Sequence, residues 1–558
     1  RFSTNIVHLE SRWSVLEMRK FQTSIEGFSI EVYNSLIKTG KVPHEYALCV
    51  ALFSVHFQRV LYKASCLKDK DFTSKKFFLR VEGEGGPAGN NMNSPWCEIL
   101  KENPNFSSYC YSLKEGSHKT LSTEGVSKFD RFKYAGIETL FYRSMLRVTK
   151  YIPDSFFKKK ALVYGESELI IETMSALMRK RVKVKKINII KDENKKIDSQ
   201  YTSLIISTIL PIVRERSNFW LSDLCKKPFE ELFVKNLTDN LGKFERFIYE
   251  WRNVLIDKDN TFVVANCPGN FKGQSLALVC REKRIPLISA QHGVTIEISQ
   301  LHGEISAAFD SAISNYTLFY NKKSAKIEGE SYFSKATPFV VGMSMRHIRM
   351  KKYLKKTEIP IVYISTNLYK GNIGLFSVWN TDHDRSLSES LMITKVLSKL
   401  PHKVRYKPYP EDNKRYSDSD PVFEDVLNSD NVELYKNKID MRYLVSEHRI
   451  AITASATSTL SWPIMSEKPV IFINQKNKGP LTEKARLDLG RAIFVFDDDE
   501  INFHNNLVNF LSQEIEEIEK KWKEKSDYRR KVIKEYFSEY EYGAGERAAN
   551  KIMNINLS

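Results

Sequence analysis

Several features are missing from this sequence, and each absence narrows what it can be. No two cysteines stand as C-x-x-C, and the seven present (Cys49, Cys66, Cys97, Cys110, Cys225, Cys267 and Cys280) are scattered and odd in number. A disulfide framework or a zinc site needs paired or clustered spacing, so reduced thiols and a cytoplasmic setting are expected. No apolar run approaches the roughly 18 residues of a membrane span. There is no G-x-x-x-x-G-K-S/T phosphate loop, no G-x-S-x-G elbow, no internal repeat and no long low-complexity tract. Gly83-Glu-Gly-Gly86 lacks the flanking pattern of a dinucleotide-binding turn. Arg1 stands where a methionine would open a chain, so the lack of an N-terminal signal pattern excludes nothing.

What is present is enough apolar material for large cores. Of 558 residues, 42% are hydrophobic and 12% aromatic, which excludes disorder as the main state and suggests two to four domains. A formal charge of +18 calls either for an anionic partner or for a lysine-rich solvated surface. Nucleotide diphosphates, nucleic acid, acidic glycans and an anionic membrane face all satisfy the first reading. Nucleic acid is disfavoured because no recognition motif occurs and the cations are not interleaved with aromatics at regular spacing.

From about residue 160 short β-branched runs alternate with helical patterns, as parallel βαβ units do. Ala161–Tyr164 reads as a strand, Glu166–Lys180 as a helix and Val182–Ile190 as a strand. Thr261–Ala265 follows as a strand, then a Gly/Asn/Pro loop over 266–273, a helix to Lys283 and the strand Pro286–Ser289. A second set starts at Ile359–Ser365 and continues with a helix near 386–400 and strands at His402–Lys407, Val432–Tyr435, Arg449–Thr453, Pro469–Asn474 and Ala492–Phe496. A short helix at 441–447 and another from Thr457 fall between these strands. Residues 322–357, carrying Gly329, Pro338 and Gly342, read as a crossing between the two sets. Apolar residues at helical spacing, such as Val532, Ile533, Tyr536 and Phe537, place helices at the end. In the first 150 residues Thr4–Leu9 reads as a strand, Tyr46–Leu67 as a buried helix and Gly83–Ser94 as a loop. The fold class expected is α/β with two Rossmann-like domains facing a cleft: residues 1–340 on the acceptor side, 341–525 on the donor side, and closing helices at 526–558 packing back on the first domain.

Ligands of open α/β sheets bind at the carboxyl ends of the strands. The strongest candidate there is Thr453-Ala-Ser-Ala-Thr-Ser-Thr-Leu460, which follows a strand and opens a helix. Its hydroxyls and first-turn N–H groups suit a phosphate. One hydroxyl would serve as an ordinary N-cap; Ser455, Thr457, Ser458 and Thr459 exceed that need. Arg405-Tyr-Lys-Pro-Tyr-Pro-Glu-Asp412 ends a strand in the same half and offers Arg405, Lys407 and Tyr409; the plain alternative is a stiff strand exit. In the first half Gln291-His292-Gly293 puts an imidazole at a strand end, with Glu304 a few residues on, where a turn histidine is the plain alternative. Gly165-Glu166 offers a carboxylate that equally suits an acidic first helical turn. Asp382-His-Asp384 and the run Asp497–Glu500 have no convincing partners, so no metal is assigned.

Together these pieces resemble the GT-B class of glycosyltransferases, and more narrowly bacterial surface-carbohydrate transferases that use CMP-activated nonulosonic acids or Kdo. The likeness rests on Gln291-His292-Gly293 in the first half and on Lys407, Tyr409 and Pro410 in the second. It rests further on Thr457-Ser458-Thr459 leading to Lys468-Pro-Val-Ile471, and on the tail Gly543–Ala549, and it spans roughly residues 260–555. Two positions depart from the pattern: Tyr409 replaces a common His, and Trp462 stands where many relatives place a ribose-binding Glu.

The resemblance implies a metal-independent transferase that needs no cofactor beyond a nucleotide-sugar co-substrate. The donor, best matched by a CMP sugar, would lie on Lys407, Tyr409, Pro410, Ser455, Thr457, Ser458, Thr459, Ser365 and Thr366. His292, Glu304 or Glu166 would be the base that deprotonates the acceptor hydroxyl; with retention of configuration a carboxylate would instead attack the anomeric carbon. The acceptor implied is a glycan or a lipid- or protein-linked sugar, with peripheral contact to an anionic inner membrane face. The rival readings are a sugar-nucleotide epimerase of the same architecture and a catalytically inactive glycan- or nucleic-acid-binding protein.

Overall fold

A computed structural model of the chain describes residues 15–65, 77–82, 106–111, 128–189, 197–256, 259–300, 310–344, 358–365, 382–408, 421–435, 441–454, 456–477 and 479–556. The expected strand at Thr4–Leu9 and loop at Gly83–Ser94 lie outside them. Strands β1 (Phe77–Glu82) and β2 (Phe106–Tyr111) form a parallel pair. The first large sheet holds β3 (Lys159–Tyr164), β4 (Val182–Lys186), β5 (Thr261–Asn266), β6 (Leu287–Ala290), β7 (Tyr316–Phe319) and β8 (Thr337–Val340). Its order is β4-β3-β5-β6-β7-β8, and every pairing is parallel.

The second sheet holds β9 (Ile361–Ile364), β10 (Val404–Lys407), β11 (Val432–Leu434), β12 (Ile450–Ala454), β13 (Val470–Asn474) and β14 (Phe494–Asp497). Its order is β11-β10-β9-β12-β13-β14, again parallel throughout. Each sheet therefore reverses direction once, between β3 and β5 in the first and between β9 and β12 in the second. These are the topological switch points of two doubly wound domains, the α/β fold expected. The central strands β5, β6, β9, β12 and β13 are buried along almost their whole length, because helices cover both faces.

Two helical layers close the first sheet. On one face, helices Val15–Lys38, His44–Ser65, Thr202–Trp220 and Asp223–Val254 share a core with Leu162, Val263, Ala265 and Leu287. On the other, helix Glu168–Arg179 packs against the closing helix Ala544–Met553. A Cβ on Gly545 would come 2.7 Å from the Glu172 backbone, so that packing needs a glycine. The chain end is tied to the first sheet by polar contacts as well. Asn321 Nδ2 donates to Tyr536 O at 3.0 Å, Glu539 N to Tyr320 O at 2.9 Å, and Lys159 Nζ to Met553 O and Ile555 O, both at 2.9 Å.

Three expectations need correction. The stretch 322–357 is not a simple crossing: it contains helix Lys322–Gly329 and β8, which belong to the first sheet. The strand expected to reach Ile190 ends at Lys186. The helix expected from Thr457 is a 3-10 turn, Ser458–Leu460, followed by only five α-helical residues, Ser461–Met465. Left-handed Glu467 (φ 55) and the extended bias ahead of Pro469 stop it there.

Candidate active site between the two sheets

The carboxyl ends of both sheets converge on one cleft of about 310 Å³. The first half contributes Glu166 and Glu168 after β3, Asn266 at the end of β5, His292 and Gly293 after β6, and Tyr320 after β7. The second half contributes Ser365 after β9, Lys407 and Pro408 at β10, and Ser458, Thr459, Ser461 and Trp462 after β12. Six of the residues expected from sequence thus meet in one space: His292, Glu166, Lys407, Ser458, Thr459 and Ser365. Thr457 stands directly before the last hydroxyls. Glu304, Tyr409, Pro410, Ser455 and Thr366 lie outside the described residues.

The Gln-His-Gly turn is held from beneath. Gln291 is buried; its Nε2 donates to Glu297 Oε1 at 2.6 Å and to Gly293 O at 3.0 Å, and its Oε1 accepts from Tyr320 N at 2.9 Å and Ser324 Oγ at 3.1 Å. Buried Glu297 also accepts Thr295 N at 3.0 Å and Asn321 Nδ2 at 3.1 Å. Burial pushes the Glu297 carboxyl up, and these donors offset part of that rise. A network with both Gln291 groups used fixes the turn, which leaves His292 to face outward. Its ring is exposed to the cleft and has no hydrogen-bond partner among the described residues. The surrounding protein displaces water and lowers its pKa, so the imidazole is neutral at pH 7.

Glu166 is held differently. It accepts from Tyr142 Oη at 2.7 Å, from Arg143 at 3.1 and 2.6 Å, and pairs with Lys186 Nζ at 2.5 Å. Burial would raise its pKa, but the Lys186, Tyr142 and Arg143 hydrogen bonds outweigh it and the carboxyl sits below its usual range. A carboxylate clamped by two cations is a weak proton acceptor. Of the two side chains, the neutral His292 imidazole is the one open to accept a proton.

On the opposite wall Thr457 performs the capping, taking Thr459 N on its Oγ1 at 3.4 Å and donating to Thr459 Oγ1 at 3.2 Å. Ser458 Oγ has no partner among the described residues and remains available to the cleft. The shortness of the following helix limits its dipole, so side chains and local N–H groups must supply most of any anion affinity. Buried Lys407 donates to Pro408 O at 2.7 Å, which holds its ammonium in the wall. Arg405, expected beside it, instead pairs with Glu433 at 3.0 Å and lies over the Tyr435 ring. Lys468 serves the sheet rather than the cleft: its Nζ caps His448 O at 3.0 Å, and burial lowers its pKa to about 8.

A backbone clasp joins the two walls. Ser299 and Leu481 form an antiparallel bridge, with Gln300 N donating to Pro480 O at 3.0 Å and Thr482 N to Ile298 O at 2.8 Å. Gln300 Nε2 adds a bond to Leu481 O at 2.9 Å. Closer to the cleft, a Cβ on Gly293 would lie 2.7 Å from Ser458 Cβ. The glycine of the Gln-His-Gly turn is thus the point where the two loops touch.

Among the cleft residues that the sequence reading did not propose are Asn266 and Ser461. Each has a buried side-chain oxygen without a hydrogen-bond partner among the described residues. Asn266 was detectable in principle as the last residue of a central strand at a switch point, whereas Ser461 lies behind the hydroxyl run and carries no pattern of its own.

No family model and no curated protein matches the sequence. Among solved structures, UDP-GlcNAc 2-epimerase from Methanocaldococcus jannaschii is 10% identical, covers 71% of this chain and 98% of its own, and has a TM-score of 0.41. MurG from Acinetobacter baumannii is 10% identical over 71% of this chain and 100% of its own, at a TM-score of 0.40. Glycosyltransferase VinC, solved with dTDP, is 11% identical over 71% and 98%, at 0.35. At these scores they carry no argument about chemistry; the two-domain architecture rests on the strand orders given above.

Proposed function

We propose that the protein is a nucleotide-sugar-dependent glycosyltransferase, with the nucleotide on the second half and the acceptor against the first. The observation that supports this is the meeting of two switch points across one cleft, with Lys407, Ser458 and Thr459 on one wall and, on the other, a His292 with no hydrogen-bond partner among the described residues. A glycosyl transfer leaves negative charge on the departing phosphate oxygen. In this reading the Lys407 ammonium and the Ser458 and Thr459 hydroxyls stabilise it as it grows. His292, neutral and open to the cleft, takes the proton of the attacking acceptor hydroxyl. Within this reading the donor implied by the resemblance is a CMP-linked nonulosonic acid or Kdo, and the acceptor a bacterial surface glycan or glycoconjugate. Peripheral contact with an anionic membrane face belongs to the same proposal.

A thermal-shift screen against CMP, UDP, dTDP, GDP and ADP tests it. A nucleotide at a hundred times its dissociation constant stabilises the fold by about 2.7 kcal/mol. The largest shift is expected from CMP. A larger shift from UDP, dTDP or GDP replaces the donor and keeps the transferase, whereas no shift from any nucleotide removes the proposal.

A further inference from the structure

Asn266 closes the central strand β5 at the switch point of the first sheet. Its surroundings fix its backbone tightly. Gly165, left-handed at φ +77 after β3, brings that neighbouring strand end so close that an added Cβ would lie 3.2 Å from Asn266 Cβ. Cys267, the next residue, is itself left-handed at φ 46.

An asparagine at a strand end usually serves the turn or helix that follows. Here Asn270 performs that service, its Oδ1 taking Gly273 N at 3.0 Å. Three other asparagines near the strand ends have their amides in use. Asn321 bonds Ser324 N, Glu297 and Tyr536 O; Asn474 bonds Leu481 N and Asp497; Asn315 takes Leu287 N. Asn266 departs from them. Its Oδ1 is shut off from solvent and accepts no hydrogen bond from any described residue, although the residue lines the cleft. Buried polar atoms are nearly always paired, so one that is not, in a cleft wall, points to a bond made only with ligand. The oxygen reaches the cleft only by a turn of the carboxamide about χ2, and no hydrogen bond on it from a described residue opposes that turn.

We infer that Asn266 reads the glycosyl group of the ligand, accepting from one pyranose hydroxyl and donating to its neighbour. This rests on the nucleotide-sugar reading above. Asn266 belongs to the wall of His292 and Glu168, whereas Ser461, buried to 2% exposure and likewise without a partner at Oγ among the described residues, belongs to the wall of Ser458 and Trp462. Ser461 is the control from the nucleotide side.

Calorimetric titration of the full chain with bare nucleotides and their conjugates separates the two: UDP with UDP-N-acetylglucosamine, dTDP with dTDP-rhamnose, and CMP with CMP-N-acetylneuraminic acid. For whichever pair binds, Asn266→Ala is expected to weaken the conjugate at least tenfold and the bare nucleotide by no more than twofold. Asn266→Asp keeps the shape and loses the N–H donor, so it weakens the conjugate too; it also serves if the alanine variant melts well below wild type. Ser461→Ala is expected to weaken nucleotide and conjugate alike. Equal losses on both ligands, or none, in the Asn266 variants overturn the inference. If the wild-type protein binds no nucleotide, the transferase reading falls. Saturation-transfer NMR with free N-acetylglucosamine, N-acetylneuraminic acid and rhamnose then decides on Asn266 alone. A sugar signal that wild type gives and Asn266→Ala abolishes supports the inference. A signal equal in both proteins, or one that wild type does not give, overturns it.

Discussion

His292→Ala is expected to lower the rate of glycosyl transfer by about 10²- to 10⁴-fold, the usual worth of a positioned general base. Nucleotide affinity should stay within a few-fold, because the imidazole stands on the wall opposite Ser458 and Lys407. The Gln291–Glu297–Asn321 network beneath the turn does not use the imidazole, so the variant should fold as wild type does. The pH profile gives a second signature. In the proposed mechanism the base is the neutral imidazole, whose pKa lies below the ordinary histidine value, so kcat/KM should fall only as the solution becomes more acidic than about pH 6.5. That acid limb should vanish from the residual activity of His292→Ala. A limb that persists unchanged would assign the base to another group.

Gly293→Ala is expected to be nearly as damaging, for a steric reason. The new methyl would sit 2.7 Å from Ser458 Cβ and 3.4 Å from its Oγ, and neither side yields easily. Gly293 O is held by Gln291 Nε2 at 3.0 Å, while the neighbouring Ala456 N bonds Gly479 O at 3.3 Å beside the clasp. Overpacking of this kind costs about 1–3 kcal/mol, and the walls must part to relieve it. A displacement near 1 Å between catalytic and bound groups costs on the order of 10²-fold in rate. Scanning calorimetry and the transfer assay should therefore both register the change. Adding Ser458→Gly in the same chain removes the atom that is struck, so melting temperature should recover while nucleotide affinity does not. Failure of that double variant to recover stability would show that this steric clash is not what limits the single one.

How much of this was legible beforehand depended on where each residue is buried. The strands β5, β6, β9, β12 and β13 are covered on both faces, so they read as continuous β-branched runs bounded by turns. The edge strand β8 is partly exposed and carries Pro338, so it resembled a connector. Helices Thr202–Trp220 and Asp223–Val254 were not anticipated. Their buried residues recur at helical spacing, as in Ile205, Ile209 and Val213, but Pro211 and Pro228 interrupt the pattern. At the site, Gln291-His292-Gly293, Lys407 and the Ser/Thr turn were legible because strand-end position alone places them. The departure of Arg405 to Glu433 was not, since it depends on which strand lies beside β10. The isolation of the Asn266 oxygen depends on what is missing around it, and no pattern along the chain records an absent partner.

The account turns on which wall holds the nucleotide, and calorimetric titration of the Ser458→Ala/Thr459→Ala variant with the nucleotide that stabilises the wild type best asks that directly. Each lost hydrogen bond to a charged phosphate is worth about 1.5–3 kcal/mol, so affinity should fall at least tenfold, while His292→Ala binds within a few-fold of wild type. If the double variant binds normally and His292→Ala abolishes binding, donor and acceptor lie on the walls opposite to those assigned.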